Sequence, residues 1–184
     1  MPFIDTFLPG VIMFEPSVYP DERGFFFESY NKRLFVSNNI LNEFVQDNQS
    51  YSFFGVIRGL HYQKEPHAQA KLVRVIQGEI LDVVLDIRTG SPGFGKTYEI
   101  RLSAENKKQI FIPKGCAHGF SVLSETAVIS YKCDQFYNKQ SEAGIRFNDR
   151  ALNINWLIPP GKELISEKDA LLPEFSTSIT DFIY

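Results

Sequence analysis

Little in this sequence ties it to a disulfide scaffold, a membrane or a nucleic acid. Its 184 residues hold two cysteines, Cys116 and Cys133. That is too few for a disulfide framework, and neither stands in a CxxC or Cys/His spacing that reads as a zinc site. No apolar run approaches the ~18 residues of a membrane span. The opening stretch, MPFIDTFLPGVIMFEP, lacks the basic start and apolar core of a signal peptide, so the expected location is cytoplasmic. Positive charge is also scarce: 19 Lys and Arg stand against 22 Asp and Glu, a formal net charge of −3. Duplex-DNA binders neutralise phosphates with a basic face, so this balance argues against nucleic acid as a partner. A small anionic ligand stays open. Repeats, low-complexity stretches and linker composition are absent too, and residues 1–184 read as one domain.

What is present is aromatic and closely punctuated. Seventeen Phe, eight Tyr and one Trp favour sheets and stacking surfaces. Turn signals recur at Pro20–Gly24, Gly55, Gly78, Thr89–Gly93, Pro113–Gly115 and Pro159–Gly161. Between them, Lys71–Ile76, Ile80–Ile87, Thr97–Leu102, Gln109–Ile112 and Ala127–Cys133 predict strands. In the second of these, Ile80, Asp82, Val84 and Asp86 alternate with Leu81, Val83, Leu85 and Ile87, which predicts a sheet packed on one face. Helical signals are confined to Asn31–Asn39 and to the stretch from Ser166, a candidate N-cap, to Ala170. One all-β domain, a sandwich or a barrel with a few short helices, follows.

Four segments can carry chemistry. Arg58-Gly59-Leu60-His61-Tyr62-Gln63 is followed by His67 and Lys71; a His and a Lys separated by a turn can face one cavity from adjacent strands. Pro113-x-Gly115-x-x-His118 has the pattern that delivers a histidine into the mouth of a cupin barrel. A metal-binding cupin also needs a His-x-His and a Glu upstream, and here Lys71 stands where a ligand is wanted, so no metal is expected. Tyr131, Cys133 and Gln135 share one strand face, although a strand tyrosine is more often packing. Arg23, on the turn before Phe25, Phe26 and Phe27, suits a phosphate beside a stacked base, although a turn arginine is usually just solvated. Asp169 has two readings, a helix-start residue or a site carboxylate.

The stretches DERGFFFESYN, FVQDNQS, VIRGLHYQ, AQAKLVRVIQGEILDVVLDIR, IPKGCAHGFSVLS, YKC and SEKDA follow one another from about Val18 to Ala170. In that order and spacing they closely resemble the dTDP-4-dehydrorhamnose 3,5-epimerase family. The resemblance implies a jelly-roll, cupin-like β-barrel, a homodimer and no cofactor. The substrate it implies is dTDP-4-dehydro-6-deoxy-D-glucose and the product dTDP-4-dehydro-L-rhamnose. It makes His61 the general base, Asp169 its orienting partner, Lys71 the stabiliser of the enolate and Tyr131 the acid on the opposite face. Arg23, Arg58, His118 and Lys168 become contacts to diphosphate or sugar. Phe26, Glu28, Gln46, Asn48 and Tyr137 become the nucleoside and sugar shell, some reaching across from a partner chain.

The chemistry needs these residue types. A proton beside a ketone is too weak an acid for unaided imidazole, so the enolate oxygen must meet a pre-placed donor, worth roughly 3–4 kcal/mol. Tyr137, six residues beyond Tyr131, is a second candidate acid. Departures from the family pattern are Asp134, Lys139 and Phe147-Asn148-Asp149-Arg150, expected on the loop near the sugar pocket. Three other readings compete: an epimerase inverting C3 or C5 alone, a ketoisomerase, and a non-catalytic barrel that binds a sugar nucleotide.

Overall fold

Short β-branched and aromatic runs between turn residues become two antiparallel sheets laid face to face. The computed structural model describes residues 2–177 and 181–184. In chain order the strands are β1 Phe3–Asp5, β2 Ile12–Phe14, β3 Tyr19–Asp21, β4 Gly24–Phe26, β5 Gln46–Phe53, β6 Ile57–Gln63, β7 Lys71–Gln77, β8 Glu79–Asp86, β9 Thr97–Ser103, β10 Gln109–Ile112, β11 Cys116–Val122, β12 Thr126–Cys133 and β13 Glu142–Gly144. One sheet runs β1-β2-β10-β7-β12-β5 and the other β13-β6-β11-β8-β9, with β3 and β4 forming a separate hairpin. Among the described residues these sheets do not close on each other through a shared ladder. All five predicted strands are present, and each boundary lies within one residue of its expected place.

Helix is sparse, as expected. Asn31 caps α1, Lys32–Val36, by accepting from the Arg33 and Leu34 N–H groups. The helix buries Phe35 against Phe3, Phe14 and Tyr30, with Leu72 and Phe111 in the same cluster on the outer side of the larger sheet. Ser166 caps α2, Glu167–Ala170, by accepting from the Asp169 N–H.

Between the sheets, Val73, Val75, Ile80, Val84, Ile110, Phe120 and Ile129 form the apolar part of the interior. The fully buried Ile129 illustrates its cost of disruption: truncation to Ala in such a core costs about 2–5 kcal/mol. Strand β8 departs from the expected single packed face, because both of its faces are buried. Leu81, Val83 and Leu85 lie under Ile145, Leu152, Trp156 and Phe182, a covering laid down by the chain after β12. The alternate face points into the sandwich, so Asp82 and Asp86 are fully buried and not solvated. Asp86 is held by Arg88, whose Nη2 donates to Oδ2 at 2.6 Å and whose Nε donates to Oδ1 at 2.9 Å.

A second correction concerns the path from His61 to Lys71. They lie on β6 and β7, which belong to different sheets, and not on adjacent strands. The turn between them crosses the sandwich, so the two side chains meet across the interior. Phe25 and Phe26 are largely exposed on their hairpin.

Candidate active site

The site is built where the sandwich interior turns from apolar to polar. On the five-stranded side, β6 and β11 approach closely because two glycines face each other. A Cβ on Gly59 would lie 2.5 Å from the Gly119 Cα, and the positive φ of Gly59 (+126°) further excludes other residues. The close approach sets His61 directly opposite His118 across the ladder. A glycine between Arg58 and His61 is therefore needed by the backbone.

His61 is oriented from behind. Its Nε2 lies 2.7 Å from Asp169 Oδ1, while Asp169 Oδ2 accepts the Gly59 N–H at 3.3 Å. Asp169 is buried, which by itself raises a carboxyl pKa. The hydrogen bond and charge of His61, the Gly59 N–H and Ser166 outweigh that and hold it below the ordinary range. An ionised Asp169 accepts from Nε2–H, which leaves Nδ1 as the basic nitrogen. Asp169 is thus the third residue after the helix cap and also the carboxylate that meets His61.

His118 has its own aspartate: Nε2 lies 2.8 Å from Asp82 Oδ2. From the six-stranded side come Gln46, Asn48, Lys71 and Tyr131, with Tyr131 paired to Asn48 and Val73, and Cys133 paired to Lys71. Burial pulls the Lys71 ammonium below the usual lysine range, against the opposing pull of Cys133, Asp82 and Glu142. Burial and the neighbouring Cys133 push the Tyr131 phenol up, against Arg58, so Tyr131 keeps its proton at neutral pH. Burial likewise pushes Cys133 up to about 11, and its thiol is inert.

These side chains share space. An inner cavity of about 160 Å³ is lined by Ser50, Arg58, His61, Lys71, His118 and Tyr131, among others. An outer cavity of about 380 Å³ continues along His61, Lys71 and Tyr131 to Gln46, Asn48, Tyr137 and Glu142. Lys168 lies with Arg58, His61 and Asp169 around a neighbouring hollow, and it pairs with Glu142. Imidazole, ammonium and phenol thus border one chamber, with His61 and Tyr131 on facing sheets.

Comparison with known proteins shows the family. The family model for dTDP-4-dehydrorhamnose 3,5-epimerase matches residues 5–177. The chain belongs to that family. It is 53% identical over 172 residues to the dTDP-4-dehydrorhamnose 3,5-epimerase of Shigella flexneri, covering 92% of this chain and 93% of the relative. The crystal structure of the enzyme from Elizabethkingia anophelis NUHP1 superposes with a TM-score of 0.91 at 53% identity, covering 95% and 96% of the two chains. That of the Legionella pneumophila Philadelphia 1 enzyme, in complex with dTDP-4-keto-L-rhamnose, gives 0.92 at 44% identity, covering 96% and 94%. The architecture is thus the cupin-like jelly roll of these epimerases.

Three expected site residues of this epimerase-family chain stand away from the chamber. Arg23 is highly exposed on the β3–β4 turn and bonded to Asp21, Phe26 is exposed beside it, and Glu28 bonds Asn31. None of the three lines either cavity. The departures from the family pattern follow β12 in the chain, as expected, but none of them lines either cavity. Asp134 is a structural support that accepts the Ala70 N–H and the Asn42 amide, each at 2.7 Å. Lys139 opens a 3-10 turn capped by Asn138, and Asn148, Asp149 and Arg150 border a different hollow, with Trp156. Sequence reasoning missed Glu142, Gln63, Gln69 and Asp82. For Asp82 the signal was there: an acidic residue in mid-strand with apolar residues on both sides.

Proposed function

We propose that this protein converts dTDP-4-dehydro-6-deoxy-D-glucose to dTDP-4-dehydro-L-rhamnose by inverting C3 and C5. The observation that carries this is the chamber itself. A histidine base and a protonated tyrosine face it from opposite sheets, and a lysine ammonium shares it. The relatives' names and the keto-rhamnose complex of the Legionella enzyme support the choice of substrate.

The steps follow from the groups present. His61 Nδ1 takes the proton from the carbon beside the C4 ketone. The C–H electron pair becomes a carbon–carbon double bond, and the carbonyl pair moves onto O4. Lys71 donates to that oxygen, and Asp169 stabilises the imidazolium. Tyr131 then gives its phenolic proton to the opposite face of the same carbon, and solvent restores the starting protonation of both residues. Inversion needs acid and base on opposite faces, which two sheets provide and one residue does not. Because Lys71 supplies the positive charge, no metal or cofactor enters these steps.

A homodimer and a cytoplasmic setting belong to the same proposal. The β3–β4 hairpin carries Tyr19, Phe25 and Phe26 outward with Arg23, and β5, an edge strand, exposes Tyr51 and Phe53. A partner's chamber would give Arg23, Phe26 and Glu28 the work their own chamber does not. Both cysteines are free and buried, which suits a reducing compartment. Turnover in deuterium oxide, read by NMR, tests the reaction. Label at both carbons is expected; label at one carbon identifies a mono-epimerase, and label at neither a binding protein. Light scattering at micromolar concentration tests the dimer, and a monomer ends that part of the proposal.

A further inference from the structure

Among the described residues, two buried side-chain polar atoms have no hydrogen-bond partner: Asp82 Oδ1 and Ser50 Oγ. Ser50 lines the inner chamber, and Asp82 lies beneath it, behind His118. An acidic side chain with no accessible surface, inside a sandwich whose neighbouring positions are Ile80 and Val84, is costly to keep. It must be offset by something local. Across the β8–β11 ladder His118 pairs with Val84 and Phe120 with Asp82, so Asp82 is the diagonal neighbour of His118 on the inward face. Its Oδ2 takes the His118 Nε2, and its charge acts on the Lys71 ammonium, opposing the effect of burial there.

We infer that Asp82 is a positioning residue for this chamber, holding His118 with its Nε2 proton turned toward the Asp82 carboxylate. The inference rests on the proposed epimerase reading for its effect on rate, and on geometry alone for its effect on His118. One consequence follows. A carboxylate on Nε2 fixes one tautomer, so the ring presents the same atom to the sugar in every turnover. Removing Asp82 therefore loosens His118 without touching the substrate or the base.

Two measurements test this. The first needs no substrate: ring nitrogen shifts of His118 in the ¹⁵N-labelled protein, assigned with His118→Asn. A protonated Nε2 is expected, and a ring that carries its only proton on Nδ1 overturns the inference. The second is a double-mutant cycle. Asp82→Asn, nearly isosteric, is expected to lower kcat by about 10–100-fold while changing KM little, the scale for a residue that orients another. In the His118→Asn background the same change should cost less than about threefold, the residue of a coupled pair. Equal losses in the two backgrounds mean that Asp82 does not act through His118 and end the proposal. If the wild-type protein shows no turnover, the epimerase reading has failed, and the nitrogen shifts still decide the role of Asp82.

Discussion

His61 and His118 sit opposite each other on β6 and β11, and each meets an aspartate through Nε2. The aspartates arrive by different routes. Asp82 comes from the next strand of the same sheet, so the ladder alone positions it. Asp169 comes from a four-residue helix 108 positions along the chain, fixed by the Ser166 cap and the Gly59 N–H. Exposure differs as well: the His61 side chain is 31% accessible and that of His118 is 9%. A base has to reach a substrate proton and exchange it with solvent. A histidine sealed into a sheet is better suited to holding a ligand than to shuttling protons. On the proposed reading, one residue pair, built twice, does different work according to its access to water.

Replacing the exposed histidine is the strongest way to break that comparison. His61→Asn should abolish turnover and deuterium wash-in together, whereas His118→Asn should leave wash-in measurable. Complete loss of wash-in from both would mean the base is not confined to His61. Next comes the facing sheet. Tyr131→Phe should stop inversion yet leave wash-in, because His61 can return a proton to the side it came from. Tyr137, exposed and bonded to Glu142 at 3.0 Å, should affect KM more than inversion when changed to Phe. The reverse outcome would move the acid to Tyr137. Asp169→Asn should lower kcat by roughly 10²–10⁴-fold, the range for losing an oriented histidine.

The smallest effect is on stability. Asp169 is held below its unfolded value of about 3.9, so in acid the unfolded chain binds more protons than the folded one. Its contribution is therefore full above that value and is lost as pH falls through the lower, folded value. Thermal melts of wild type and Asp169→Asn should differ most near neutrality and converge below about pH 4. A gap that stays constant into acid would show that Asp169 is not paired as an anion.

Five strand positions and the two helix starts were legible because they are local. Turn residues, β-branched runs and a serine three residues before an aspartate act within a few positions of themselves. The chamber's ingredients were legible as well, through seven ordered stretches with the residue types that enolate chemistry requires. Which sheet each strand joins was not. Alternation in β8 shows that its two faces differ but not what covers them, and the cover arrives from Ile145, Trp156 and Phe182 far along the chain. A polar residue on the alternate face therefore read as solvated when it is buried. The same limit hid the placement of His61 against Lys71, since a turn can either pair two strands or carry the chain across a sandwich. By itself the sequence determined five of the strands, the Ser166 cap and the residue types that meet at the chamber. Only the tertiary structure decided that His61 and Tyr131 face each other from opposite sheets and that Asp82 is sealed behind His118, because burial and facing are set by contacts between residues distant in the chain.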